Sequence, residues 1–135
     1  MLTLLLIGML IVTFNVQPVK PDWTCTETIY IRANGSVDPP TAPISSVDNI
    51  TYTLIDNIVG DIPEYTNAIV VERDNIVVDG AGYTLQGTGA AYSNGISLSG
   101  RSNVTIKNMK IKAFYSGIYL YKSSNNSISG NTITN

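Results

Sequence analysis

The stretch Gly95–Ile111, GISLSGRSNVTIKNMKI, is followed at Gly117–Ile133 by GIYLYKSSNNSISGNTI. Sliding one onto the other by 22 residues superposes Gly95 on Gly117, Ile96 on Ile118, Leu98 on Leu120, Ser102 on Ser124, Asn103 on Asn125, Ile106 on Ile128 and Ile111 on Ile133. A looser earlier copy keeps the same skeleton with longer turns: Ile69 and Val71, then Asn75, Val78 and Leu85, lengthened by the insert DGAG at 79–82. Each copy holds three strand-sized runs of Ile, Val and Thr separated by Gly, Asn and Ser. Such a unit is too short to bury its own apolar residues, and a period in the twenties is satisfied by stacking each copy on the next.

Stacked coils form parallel sheets, which place Ile96 and Leu98 inward against Ile118 and Leu120 at about 4.8 Å, the spacing of hydrogen-bonded strands. Leucine-rich repeats share the period but need a dense Leu frame with helical returns, whereas β-branched residues prevail here. The turn asparagines fit the same picture. A side-chain amide both donates and accepts, so Asn75, Asn103 and Asn125 are expected to bond to one another and to nearby backbone as a ladder. The predicted fold is all-β: a right-handed parallel β-helix of about three rungs.

NIVVDGAGYTLQGTG (75–89), followed by GISLSGRSNVTIKNMKIKAFYSGIYLYKSSNNSISGNTITN (95–135), resembles the right-handed β-helix repeat proteins. The similarity is to the NosD-like and carbohydrate-binding/sugar-hydrolysis repeat families of archaeal and bacterial exported proteins. The lead-in TIYIRANGSVDPPTAPI (28–44) is similar to that of exported archaeal members. The resemblance implies a solenoid, and because this architecture serves lyases, hydrolases, adhesins and stalks alike, it leaves the activity open.

Around the repeats, the chain of 135 residues divides by composition. The opening MLTLLLIGMLIVTF is 14 uncharged, mostly apolar residues, the length of a signal-peptide core and short for a membrane span. Residues 1–22 are therefore read as a signal peptide or uncleaved N-terminal anchor, helical in its apolar run. Residues 23–66 are an entry segment with one or two strands, of which TIYIRA (28–33) alternates best, and with a capping loop; SVDPPTAPISS (36–46) reads as an irregular connector. Residues 67–135 are the repeats. They stop inside a coil, without a polar cap, so the array is expected to be incomplete at its C-terminal end and continued by further rungs or covered by another chain.

Charge and residue types restrict the chemistry. Net charge is −2, which argues against a nucleic-acid binder, and contact with a membrane is expected only through the N-terminal apolar segment. All ten carboxylates lie at or before Asp79, with Lys20, Arg32 and Arg73; beyond it stand five bases and no acid. A polysaccharide hydrolase needs paired carboxylates, so only the first rung offers candidates, Glu72 and Asp74. Asp74 and Asp79 flank turns, where aspartate commonly bonds backbone. A lyase would need clustered acids for calcium and an arginine base, and Arg101 has no such cluster. The NosD resemblance suggests copper, but copper asks for His, Cys or grouped Met. The chain has no His and a single cysteine, Cys25; beyond the leader its sole methionine is Met109, which occupies a packing slot in the repeat. No cofactor and no metal site are therefore expected.

A surface for sugars is the better-supported reading. Outward columns of the first strand should run Val70, Ser97, Tyr119 and Glu72, Ser99, Tyr121, leaving two tyrosines side by side, with Lys107 and Lys122 available to hydroxyls or anionic groups. Of the sequons at Asn34, Asn49, Asn103 and Asn125, the first two are the expected glycosylation sites, since the last two belong to the ladder. The sequence thus predicts a secreted or cell-surface β-helix module with a non-catalytic glycan-binding or display role. A polysaccharide lyase or glycoside hydrolase with a partly missing groove, and a NosD-like copper-maturation accessory protein, are the alternatives.

Overall fold

Short runs of β-branched residues between Gly and Asn give strands of two to six residues, and no helix is present among the described residues, 18–135 of a computed structural model. The apolar helix expected in the leader lies outside the described residues. In chain order the strands are β1 (Trp23–Cys25), β2 (Ile29–Ile31), β3 (Val37–Asp38), β4 (Ile44–Ser45), β5 (Thr51–Leu54), β6 (Ile58–Gly60), β7 (Asn67–Val71) and β8 (Ile76–Asp79). They continue with β9 (Thr84–Gln86), β10 (Asn94–Ser99), β11 (Val104–Lys107), β12 (Lys110–Lys112), β13 (Ser116–Tyr121), β14 (Ser127–Ser129) and β15 (Thr132–Thr134).

These strands build a three-faced parallel β-helix. The first sheet is ordered β3-β2-β7-β10-β13, the second β4-β5-β8-β11-β14 and the third β1-β6-β9-β12-β15. Three regular coils, β7–β9, β10–β12 and β13–β15, stack on β2, β5 and β6. The register is the one the repeat dictates: Ile96 pairs with Ile69 on one side and Ile118 on the other, Ile106 with Val78 and Ile128, Ile111 with Leu85 and Ile133. Every pairing between coils is parallel. The looser copy is in step too, its DGAG insert absorbed at the corner between β8 and β9.

Alternation does the rest. In β8 and β11 the buried positions are every second residue, and the resulting inner columns (Ile29, Ile69, Ile96; Tyr52, Val78, Ile106; Ile58, Leu85, Ile111) are essentially sealed from solvent. Each fully buried Ile or Leu contributes about 1.5–3 kcal/mol, so shared columns supply what one coil alone cannot. Two glycines make the stacking possible. A Cβ on Gly95 would come within 2.5 Å of the Gly117 carbonyl oxygen, and one on Gly80 within 2.5 Å of the Met109 Cα, so either substitution would force coils apart.

Asparagine governs the corner between the first two sheets. Asn75, Asn103 and Asn125 all adopt left-handed backbone, φ 60°, 55° and 54°, a region Asn enters more readily than other side chains. The expected ladder forms between the first two, the Asn103 amide donating to Asn75 Oδ1 at 2.9 Å. Two further amides clamp the last coil to its neighbour. Asn126 accepts from the Val104 N–H and donates to the Arg101 carbonyl, and Asn131 does the same with Met109 and Ile106.

The segment SVDPPTAPISS is more ordered than a connector. It supplies β3, antiparallel to β2, and β4, antiparallel to β5, so the N-terminal edges of two sheets are closed by strands only two residues long. Pro39 follows β3 and Pro43 precedes β4, which suits edge strands that need few ladder donors and resist further pairing.

Candidate functional site

The two carboxylates proposed for catalysis sit at the turn after β7, because Ile69 and Val71 take the inward places and push Glu72 outward. Neither is left free. Arg32 donates to Glu72 Oε1 at 3.1 Å while also pairing with Asp38. Arg101 donates to the Glu72 carbonyl at 2.9 Å and lies 3.5 Å from Asp74 Oδ1, which also accepts the Ser102 N–H at 3.0 Å. The acids clasp one coil to the next, in place of the open pair across a sugar that glycoside hydrolysis uses. Asp79 is similar. Burial opposes its ionisation, but the Ala81 N–H, the Asn108 amide and Lys107 at 3.2 Å outweigh it and hold the carboxyl below the usual carboxylate range.

The predicted ligand-binding residues divide between faces. Tyr119 and Tyr121 stand in the outward columns expected of them, opposite Ser97 and Ser99, on the first sheet. Lys122 follows in the turn, its ammonium 5.2 Å from the centre of the Tyr121 ring, where it occupies one face of that ring. Lys107 lies on the second sheet and is committed to Asp79. Asn34 and Asn49 are exposed; Asn34 Oδ1 accepts from both the N–H and the hydroxyl of Ser36.

What the sequence did not reveal is a column of three more tyrosines at the corner leading into the first sheet. Tyr65 and Tyr92 stack with ring centres 4.9 Å apart and planes 14° from parallel; Tyr115 continues the stack, 4.9 Å from Tyr92 and tilted 37°. The corner is pinned by the Tyr65 N–H donating to the Ala91 carbonyl and the Ser116 N–H donating to the Ser93 carbonyl. Corner lengths differ between coils, so at the fixed period Tyr115 overlays Ser93 instead of Tyr92 and the column vanishes from an ungapped comparison. Tyr65 and Tyr92 also hold left-handed backbone, φ 61° and 54°, which is unfavourable for a bulky residue and costs on the order of 1–3 kcal/mol each.

Beside this column the first sheet forms a cleft of about 410 Å³. Tyr65, Tyr92, Tyr115 and Tyr119 wall it. Its polar groups are Asn67 and Asn94, joined by a 2.8 Å amide–amide hydrogen bond, with Ser97, Ser99 and Ser116. Among the described residues no ionic side chain lines it. Tyr119 joins no ring pair among the described residues and is 42% exposed, whereas Tyr92 is stacked between Tyr65 and Tyr115. A larger hollow, about 910 Å³, lies at the N-terminal end near Trp23, Val37 and Ile44. The Lys20–Asp56 ion pair sits on its rim, but no repeated side-chain column and no cluster of reactive groups converge there.

Metal ligation has little to draw on. Among the described residues no three His, Cys, Asp or Glu side chains come together as a metal site. Cys25 is buried, which raises its thiol pKa, and its Sγ donates to the Glu27 carbonyl at 3.0 Å; Met109 is sealed in the core. These donors do not fit copper.

Compared with known proteins, residues 31–135 match the family model described as periplasmic copper-binding protein (NosD). No curated protein and no solved structure gives a significant match.

Proposed function

The chain belongs to the NosD family, and from that premise we propose that it is an extracytoplasmic β-helix module that binds neutral glycans, without catalysis, in the tyrosine-walled cleft of its first sheet. The family's description as periplasmic supports a place outside the cytoplasm. Copper, which the same description names, finds no suitable donors among the described residues.

The observation that carries the reading is the column itself. Tyr65 and Tyr92 keep large aromatic rings at backbone angles that Gly or Asn would adopt at lower cost, and with Tyr115 they line one wall of the cleft. Next to the column, Tyr119 offers a ring face for a pyranose, while Asn67, Asn94 and the serines offer donors and acceptors for hydroxyls. The absence of ionic groups in the cleft favours uncharged over acidic sugars. Asn34 and Asn49, exposed at the N-terminal end, are the proposed sites of N-glycosylation in a host that performs it.

The test is a glycan array of neutral and acidic polysaccharides followed by calorimetry. Tyr119→Ala is expected to weaken binding about 10-fold, the loss of roughly 1.4 kcal/mol, and Tyr121→Ala to weaken it less because Lys122 already covers that ring. Silence of the wild-type chain on the array, or equal affinity in both variants, would refute the site. Turnover of any polysaccharide that disappears in Glu72→Gln would replace this reading with an enzymatic one.

A further inference from the structure

We infer that the gap between Asn94 and Ser116 in the floor of the cleft is a hydroxyl-reading subsite, which admits neutral glycans with a free ring hydroxyl and rejects the same glycans etherified or esterified there. The inference rests on the neutral-glycan reading above and adds the feature by which the cleft discriminates. Asn67, Asn94 and Ser116 occupy one register position in three successive coils. The Asn94 amide donates to Asn67 Oδ1 at 2.8 Å, a coil-to-coil bond like the one Asn103 makes with Asn75. In the next coil the backbone keeps its place, the Ser116 N–H donating to the Ser93 carbonyl, but the column of amides is interrupted. A serine ends one atom sooner than an asparagine and carries no carboxamide, so a gap opens in the floor at that point.

The interruption leaves a specific chemical deficit. Because the Asn94 amide is turned towards Asn67, Asn94 Oδ1 has no donor among the described residues. It is not sealed away either. No buried side-chain nitrogen or oxygen among the described residues lacks a partner, and Asn94 lines the cleft together with Tyr115 and Tyr119. A carboxamide oxygen can only accept, whereas the hydroxyls of Ser97 and Ser116 turn to either role. The serines therefore tolerate a ligand oxygen of any kind, while Asn94 demands an O–H. A ring hydroxyl placed in the gap donates to Asn94 Oδ1 and accepts from Ser116 Oγ, continuing the column with ligand atoms. An ether or ester oxygen in the same place cannot donate, and it would cover Asn94 Oδ1 while leaving it unpaired, the situation that discriminates most strongly between otherwise similar ligands.

The experiment compares the unmodified chain with Ser116→Asn and Ser116→Ala by calorimetry. The probes are cello-, manno- and xylo-oligosaccharides, each with free hydroxyls and as its O-methyl ether. The unmodified chain is expected to bind a free oligosaccharide about 10-fold or more tightly than the ether. Ser116→Asn extends the amide column and closes the gap, so affinity for the free form should fall to that for the ether, with the melting temperature lowered by no more than about 4 °C. Ser116→Ala leaves the gap and Asn94 Oδ1 open and should keep most of the preference. Equal binding of free and methylated forms by the unmodified chain, or a preference undiminished in Ser116→Asn, would overturn the inference and leave the cleft standing as a glycan site. Loss of the preference in Ser116→Ala would also overturn it, since the serine would then be the discriminating group. Silence of the unmodified chain towards every free oligosaccharide would overturn the subsite and the neutral-glycan reading together.

Discussion

Ile106 and Ile128 are register partners in adjacent coils, with the same side chain, strand position and inward direction, yet the first is fully buried and the second 46% exposed. Truncating each to alanine therefore isolates what a covering coil contributes. Burying an isoleucine side chain fully stabilises by about 1.5–3 kcal/mol, and in a closed site the residual cavity brings the Ile→Ala cost to about 2–5 kcal/mol. For Ile106→Ala the whole of that cost applies. Ile128 has about half the burial to lose, and the space left behind opens to solvent, so the cavity contribution disappears and about 1 kcal/mol remains. A coil with a neighbour on one side only, as β13–β15 has among the described residues, also opens locally before the rest, which lowers the global effect further. Urea unfolding, with the slope checked for constancy, should show Ile106→Ala less stable than Ile128→Ala by at least about 1 kcal/mol. Equal losses would mean that the coils do not stack in the assigned register or that the end face is covered in solution.

Other consequences can be measured on the same protein. Tyr92→Asn relieves a left-handed tyrosine, about 1–3 kcal/mol, while removing two ring pairs worth about 0.5–1.5 kcal/mol each, so the melting temperature should stay nearly constant while glycan affinity falls; a large loss of stability would make the column structural. Because the folded-state pKa of Asp79 is depressed, its stabilising effect is fully present above the ordinary carboxylate pKa and disappears as pH falls through the depressed value. Asp79→Asn should accordingly flatten the acid limb of a stability-against-pH curve below about pH 4, and an unchanged limb would contradict the Ala81, Asn108 and Lys107 contacts. Cys25, buried and with its thiol pKa raised, should resist alkylation at pH 8 until denaturant is added, as followed by mass spectrometry.

The regions of the molecule that were legible from sequence are those written once per coil. Ile96, Ile118 and their counterparts recur because each faces the same column, so hydrophobic period and register are a single fact, and Asn75, Asn103 and Asn125 recur because the corner demands left-handed backbone. The corner before the first sheet is different. Its chain path varies in length from coil to coil, so Tyr65, Tyr92 and Tyr115 reach one column from unequal sequence offsets, and only coordinates align them. β3 and β4 are not legible for another reason: two residues beside a proline carry no alternation to read. Tyr119 and Tyr121 fall opposite Ser97 and Ser99, as the repeat period requires, but the period does not reveal that Lys122 places its ammonium over the Tyr121 ring.

A corner that tolerates unequal lengths while the flanking strands hold strict register separates two kinds of inheritance. Deleting one residue inside β10 would turn the inner column outward and ruin the fold, whereas lengthening the path into it merely moves an aromatic ring along the rim. Changes in length at that edge would therefore reshape the tyrosine-walled cleft while leaving the register of the three sheets intact.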